Sequence, residues 1–550
     1  MAYQFRTAIG KNIYEQKYSH EGKYTWPQLA EQLAREVCGD LVTEDEEDEI
    51  AHMITEMKFI PGGRYLYYAG RDLKAYNNCY LLKGEEDTRE EWGNLLKRAS
   101  DCLMTGGGIG IDYSVFRAKG SYLGRTGGQA SGPIPLMHSV NEVGRNVMQG
   151  GSRRSAIYAS LNWAHGDATD FLEMKNWDKM PIGGVLNEDE TSYTLWHAKQ
   201  TDFNFNCPLD MTNVSLNYDD DWLFKKDRHL DPTFLRNCEQ AMRTGEPGFS
   251  FNFGPKQNET LRNACCEVVS EDDSDVCNLG SVNLSRIESI DDLRRVVFLA
   301  SKFLVCGTLR ADLPSEKVKV VREKNRRLGL GLMGIHEWLL KRGYGYEVTP
   351  ELHQWMWVYR AYSELGANEL CDALGINRPK AYRAIAPTGT IGMIAGTTTG
   401  IEPLFAVAYR RRFLRGSQNW HYQYVVDGTA KTLIEETGID PSKIDTAYGM
   451  ANDFERRIRF QADIQDYVDM AISSTINIPK WGSDLNNEDK VKDFASTLSK
   501  YAHRLRGFTV YPDGSRGGQP ITECPYEEAI SYGDHIYEEN DACKGGVCGI

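Results

Sequence analysis

The chain has 550 residues, 41% of them apolar and 26% charged, with a formal net charge of −15. That length allows one large domain or several ordinary ones around a sizeable core. The acidic balance leaves no basic excess for neutralising phosphate backbones, which excludes a general nucleic-acid binder but not a local nucleotide site. The 13 cysteines are odd in number in a long chain, which excludes a secreted disulfide scaffold and points to a reducing, cytoplasmic setting.

Residues 1–60 read as a helical region. Met1 to Lys11 lacks the apolar core of a secretion signal, and Leu29, Leu33 and Val37 recur at helical spacing. The acidic run Glu44 to Glu49 reads as a solvated helix face. Glu49 and His52 form a lone Glu-x-x-His, whereas a di-iron bundle needs two such pairs and further carboxylates.

From residue 61 to 530, strand-like runs (Cys79–Leu82, Ile157–Leu161, Thr509–Tyr511) alternate with longer helical patterns (Glu90–Leu103, Leu293–Val305, Gln354–Leu374). That alternation predicts one α/β domain. Val296 to Thr308 is the most apolar stretch, but it is short and carries Lys302, so no membrane span is expected. Gly106-Gly-Gly-Ile-Gly110 lacks both the spacing of a dinucleotide fingerprint and its downstream acid. Gly150-Gly-Ser-Arg-Arg154 reads as a flexible loop with two cations. His336-Glu337 lacks the second histidine of a zinc protease. Pro387-Thr-Gly-Thr-Ile391, followed by Thr397-Thr-Thr-Gly400, offers hydroxyls and backbone N–H groups suited to phosphate. Residues 531–550 are polar and glycine-containing, which predicts a mobile tail. They end in Cys543-Lys-Gly-Gly-Val-Cys548.

The chemistry is densest at Asn263-Ala-Cys-Cys-Glu267, followed by Cys277-Asn-Leu-Gly. A carboxylate beside a thiol raises its pKa, which disfavours a thiolate nucleophile at Cys265 and suits radical or acid–base chemistry on a polyol. In an extended loop Cys265 and Glu267 would face one way and Cys266 the other. No C-x-x-C spacing supports zinc, and no metal site is expected. Cys38, Cys102, Cys207, Cys238, Cys306, Cys371 and Cys524 read as small buried hydrophobes.

From about Phe59 onward the chain resembles the ribonucleotide reductase large subunit. That family carries Asn-Pro-Cys-Gly-Glu at the tip of a finger loop inside a ten-stranded α/β barrel. Here Asn263, Cys265 and Glu267 match, while Ala264 and Cys266 replace Pro and Gly. Asn77-Asn-Cys-Tyr-Leu81 resembles the strand carrying the first redox cysteine, and Val276 to Leu284 the segment carrying its partner. Gly107 to Arg117 and Gln149 to Ala156 resemble the effector and specificity loops. Leu328 to Gly334, Pro387 to Pro403, Ile472 to Pro479 and Thr509 to Arg516 follow in family order.

The resemblance implies roles. Cys265 becomes a thiyl radical that takes the ribose 3′ hydrogen, Glu267 is the general base at the 3′ hydroxyl, and Asn263 holds the ribose hydroxyls and orients Glu267. Cys79 and Cys277 supply the electrons and close a disulfide, which Cys543 and Cys548 exchange with a thioredoxin- or glutaredoxin-like reductant. Asn78 and Pro387, Thr388, Gly389, Thr390 and Ile391 hold the substrate, a ribonucleoside di- or triphosphate. Arg117, Gln149 and Arg153 are candidates for contacts with a dNTP effector or the base. Cys266 reads as a space-filling replacement for Gly.

Family members differ in radical source. Members fed by a separate metal-containing subunit carry a tyrosine pair near the C-terminus, whereas Thr509-Val-Tyr511-Pro512 has one tyrosine. The single-tyrosine form resembles the adenosylcobalamin-dependent class, and Pro61-Gly-Gly-Arg-Tyr-Leu66 with the Cys-x4-Cys tail resembles its monomeric triphosphate reductases. A large subunit needing a metallocofactor partner, a homodimer, and an inactive nucleotide-binding homologue stand as alternatives.

Overall fold

The computed structural model describes residues 3–147, 155–182, 193–202, 205–414, 420–515, 521–533 and 536–538. The N-terminal region forms the helices Ala8–Lys17, Trp26–Val37 and Glu44–Thr55. The acidic run falls in the first turns of the third. There Thr43 and Glu46 make a reciprocal capping box, and carboxylates favour the positive end of the helix dipole. Glu49 binds Arg295 through both oxygens, which accounts for it without a metal.

Ten strands join in one sheet. Five run parallel in the order Cys79–Lys83, Gly108–Asp112, Ile157–Asn162, Thr212–Tyr218 and Gly248–Phe251. Gly507–Pro512 pairs antiparallel with the last of these and parallel with Thr475–Ile478. Single parallel bridges, Ile385 to Ile472 and Leu330 to Arg383, carry the pairing on to Leu328–Met333. That strand runs parallel to Asp275–Asn283, which returns antiparallel to Cys79–Lys83. The ring closes as two parallel halves that meet at two antiparallel seams, with Phe59–Pro61 added along Asp275–Asn283. This is the ten-stranded α/β barrel that the resemblance implies.

Helices including Arg89–Met104, Pro232–Thr244, Ile290–Arg310 and Pro350–Ala373 cross between parallel neighbours, as parallel pairing demands. Two large apolar clusters hold helices against strands. A third lies inside the barrel and contains Leu261, Val268 and Val269 with Cys79, Leu81, Cys277 and Leu279. The first three of these belong to the finger between Phe251 and Asp275, whose stem pairs Leu261–Arg262 with Val269–Ser270. The Gly107-to-Arg117 segment, likened in sequence to an effector or specificity loop, includes the barrel strand Gly108–Asp112 that makes room for the finger. A Cβ on Gly110 would stand 1.5 Å from the Arg262 carbonyl oxygen.

A separate antiparallel sheet runs Ile521–Glu523, Ala408–Leu414, Trp420–Val426, Ile536–Glu538. Chain order therefore continues past residue 530, where the sequence suggests a mobile tail, because Ile536–Glu538 finds a strand edge to pair with. Among the described residues no helix is long and apolar enough to cross a membrane.

Candidate active site

The finger tip is a tight turn rather than an extended loop. The Cys266 N–H donates to the Asn263 carbonyl at 2.9 Å, and Cys266 takes a φ of +70°. That left-handed conformation is the one glycine adopts without penalty, so the Gly-to-Cys departure leaves the turn intact at the cost of local strain. The side-chain oxygen of Asn263 accepts from the Val268 N–H at 2.9 Å, which ties the two sides of the turn. The outcome matches the extended-loop expectation by a different route: Cys265 and Glu267 line one cavity, and Cys266 does not.

That cavity, about 540 Å³, is lined by Asn78, Cys79, Asn263, Cys265, Glu267 and every residue from Pro387 to Ile391. Cys277 lies beside Cys79 on the neighbouring strand, as its Cα partner. The Asn263 amide donates to Cys79 Sγ at 2.9 Å, so one side chain touches the turn and the barrel wall together. Nine-tenths or more of each of Cys79, Asn263, Glu267 and Cys277 is buried, while Cys265 is exposed within the cavity.

Burial sets the protonation states. Glu267 is pushed up to about 7, mainly by desolvation, against its own backbone N–H and Asn263, which favour the anion. Its Oε2 is buried without a hydrogen-bond partner. Burial holds the Cys79 thiol well above the usual range, with Glu267 adding to it. The Cys277 thiol is raised by burial and then by Asp275. Both directions favour the protonated thiol over the thiolate at neutral pH. Burial also pushes Cys266 up to about 12.

The phosphate-cradle segment is built on strain. Thr388 has φ +52°, and its Oγ1 accepts from the Gly400 N–H at 2.8 Å. The short helix Gly389–Ala395 follows. A second cavity of about 620 Å³ shares Pro387 and Gly389 with the first and reaches Glu402, Asp427, Asn477 and Tyr511.

Sequence reasoning missed residues that only the fold brings in. Tyr18, Arg64 and Ser281 line the first cavity, and Thr7 and Ile9 line the second. Pro61-Gly-Gly-Arg64 had carried only a likeness of type; nothing local marks Tyr18. Arg117 binds Asp87 and the Tyr122 carbonyl at the surface and lines neither of these cavities. Gln149, Arg153, Cys543 and Cys548 lie outside the described residues.

Several ribonucleotide reductases are similar to this chain in sequence. The vitamin B12-dependent ribonucleoside-diphosphate reductase of Mycobacterium tuberculosis is 25% identical, over 91% of this chain and 76% of its own. The enzyme of that name from Thermoplasma acidophilum is 27% identical, over 86% of this chain and 65% of its own. A putative adenosylcobalamin-dependent ribonucleoside-triphosphate reductase of Mycobacterium phage D29 is 25% identical over 98% of both chains. The family model for the ribonucleotide reductase barrel domain matches residues 77–192, 238–354 and 375–511, more than half of the sequence, and the chain belongs to that family.

Proposed function

We propose that the protein reduces ribonucleotides to 2′-deoxyribonucleotides by thiyl-radical chemistry, with adenosylcobalamin as radical source. One observation carries this reading. Cys265, Glu267, Asn263 and Cys79 converge with Asn78 and Pro387 to Ile391 on a single cavity, with Cys277 in register beside Cys79.

Cys265 faces the cavity, where its thiol would give up a hydrogen atom to the radical that the bound cofactor would supply. The thiyl then takes the 3′ hydrogen of the ribose. Glu267, with a pKa near neutrality, accepts the 3′ hydroxyl proton, as a general base works best near its own pKa. Asn263 holds Glu267 and Cys79 in one geometry. The 2′ hydroxyl leaves as water with a proton from the Cys79–Cys277 pair. Their remaining hydrogen atom goes to C2′ and their second electron to the C3′ ketone, whose oxygen takes its proton back from Glu267, and a disulfide closes. Cys265 then returns the abstracted hydrogen atom to C3′ and is left as the thiyl once more. The backbone N–H groups of Gly389 to Ile391 suit the substrate phosphates. Cys543 and Cys548 then return electrons from an external dithiol.

The second cavity suits adenosylcobalamin. Glu402, Asp427, Ser473, Thr475, Asn477 and Tyr511 line it, and such donors and acceptors match the carboxamide rim of a corrin. Its shared wall with the substrate cavity, Pro387 and Gly389, suits direct delivery to Cys265 without a tyrosine relay. When bound, the cofactor supplies an organic radical by cobalt–carbon homolysis. Relatives bear the names of both diphosphate and triphosphate reductases, so both substrates belong in the test. Purified protein with a thiol reductant, adenosylcobalamin and either CDP or CTP is expected to form deoxynucleotide. Activity only with a ferritin-like partner subunit would replace the cobalamin reading.

A further inference from the structure

Residues 6–18 reach the nucleotide site from the far end of the sequence. Arg6 Nη1 donates to Glu337 Oε1 and, at 3.0 Å, to the Gly396 carbonyl. Glu337 is fully buried. Its other oxygen accepts from Thr397 Oγ1 at 2.6 Å, and its N–H reaches Thr398 Oγ1 at 3.4 Å. These threonines lead into Gly400, whose N–H holds Thr388. A β-branched residue keeps a left-handed conformation only where its neighbours over-determine it, and at Thr388 this chain of bonds does so.

The helix Ala8–Lys17 seats on the same element. A Cβ on Gly10 would stand 2.6 and 2.8 Å from the Met393 and Ile394 carbonyl oxygens, so glycine permits the close approach. Thr7 and Tyr18, at the two ends of that helix, line the second and first cavities. Lys341 also pairs with Glu337, at 3.0 Å, but it lies on Glu337's own helix and reaches the Ser285 carbonyl at 3.5 Å, whereas Arg6 reaches the Gly396 carbonyl.

We propose that Arg6 is a positioning residue for the substrate phosphates: through Glu337, Thr397 and Gly400 it fixes the conformation of Thr388 at the head of the phosphate loop. The proposal rests on reading Thr388 to Ile391 as the phosphate contact.

The test uses the full chain and three variants: Arg6→Met, Arg6→Lys, and Lys11→Ala on the exposed side of the same helix. Steady-state reduction of CDP and CTP is measured with adenosylcobalamin and a thiol reductant. Arg6→Met is expected to raise KM about tenfold or more with kcat held within about threefold, Arg6→Lys to restore most of it, and Lys11→Ala to match the parent. A fall in Tm with KM unchanged would mean that Arg6 is only structural, and the proposal would be overturned. So would a change in kcat alone, or a loss that lysine does not rescue. If the parent chain reduces neither nucleotide, the functional reading fails, and equilibrium dialysis with labelled CDP and CTP decides this proposal separately. There, about tenfold weaker binding by Arg6→Met supports it, and equal binding, or none by the parent, overturns it.

Discussion

Cys79 and Cys277 stand directly opposite one another across the antiparallel seam between the two halves of the barrel. Directly opposed residues in such a ladder have Cα atoms about 4.5–5.5 Å apart, inside the range that a disulfide spans without backbone movement. That register would let the pair close and reopen on an unmoved scaffold, as the proposed chemistry requires. Prereduced protein carrying Cys543→Ser and Cys548→Ser, given nucleotide and adenosylcobalamin but no external thiol, is expected to make about one deoxynucleotide per chain. Mass-spectrometric mapping should then find Cys79 linked to Cys277. Cys79→Ser should make none. Multiple turnovers in the tail variant with thioredoxin would show that the buried disulfide needs no shuttle.

Glu267 gives a pH signature with a definite sign. Its carboxyl is raised from 4.5 to about 7, chiefly by desolvation. A group whose folded pKa is raised contributes stability that is full below the unfolded value and is lost as pH climbs through the folded one. Glu267→Gln stays neutral and escapes that loss. Relative to the parent it should gain about 2 kcal/mol between pH 5 and pH 8, read from denaturant unfolding at both values. The same variant should lose turnover, while kcat/KM of the parent rises with pH through about 7. A stability difference that is flat with pH would mean that Glu267 ionises as an ordinary carboxylate.

The proposed reacting groups were legible in the sequence because they sit in short runs whose residue types declare their chemistry: Asn263 to Glu267 on the finger, Cys79 and Cys277 on strands, Pro387 to Ile391 at the start of the helix Gly389–Ala395. The strands Ile157–Asn162 and Gly507–Pro512 and the helices Arg89–Met104 and Pro350–Ala373 were legible because apolar periodicity reports local burial. Contacts made only by closure of the barrel were not. Gly110 resembles a loop glycine until a second segment, more than 150 residues away in sequence, is threaded past it. Arg6 looks like any surface cation until the fold brings Glu337 to it. The left-handed turn at Cys266 was also hidden, since an isolated cysteine carries no sign of positive φ.

Cys266 replaces the family's glycine yet keeps the glycine conformation. Its thiol is held protonated by burial and turned off the substrate cavity. If it only fills space, Cys266→Gly should leave turnover within about threefold, a change in barrier under about 0.7 kcal/mol. Cys265→Ser should abolish turnover while nucleotide binding persists. A Cys266→Gly enzyme as inactive as Cys265→Ser would assign Cys266 a redox role.

Gly110 sets the depth of the finger. Its missing side chain admits the Arg262 carbonyl to within 1.5 Å of where a Cβ would be, and the obstacle is backbone that no rotamer change can move aside. Gly110→Ala must therefore push the finger off the Gly108–Asp112 strand, carrying Asn263 and Cys265 away from Cys79 and the phosphate loop. A displacement of about 1 Å at reacting groups costs on the order of 100-fold in rate, so turnover should fall at least that far. The inner cluster of Leu261, Val268 and Val269 should loosen with it, which lowers Tm. Gly124→Ala is the matched control, because its added Cβ meets nothing within 4 Å, and it should retain parental turnover and Tm. A Gly110→Ala enzyme with unchanged rate would show that the finger tip finds its catalytic position without the room this glycine leaves.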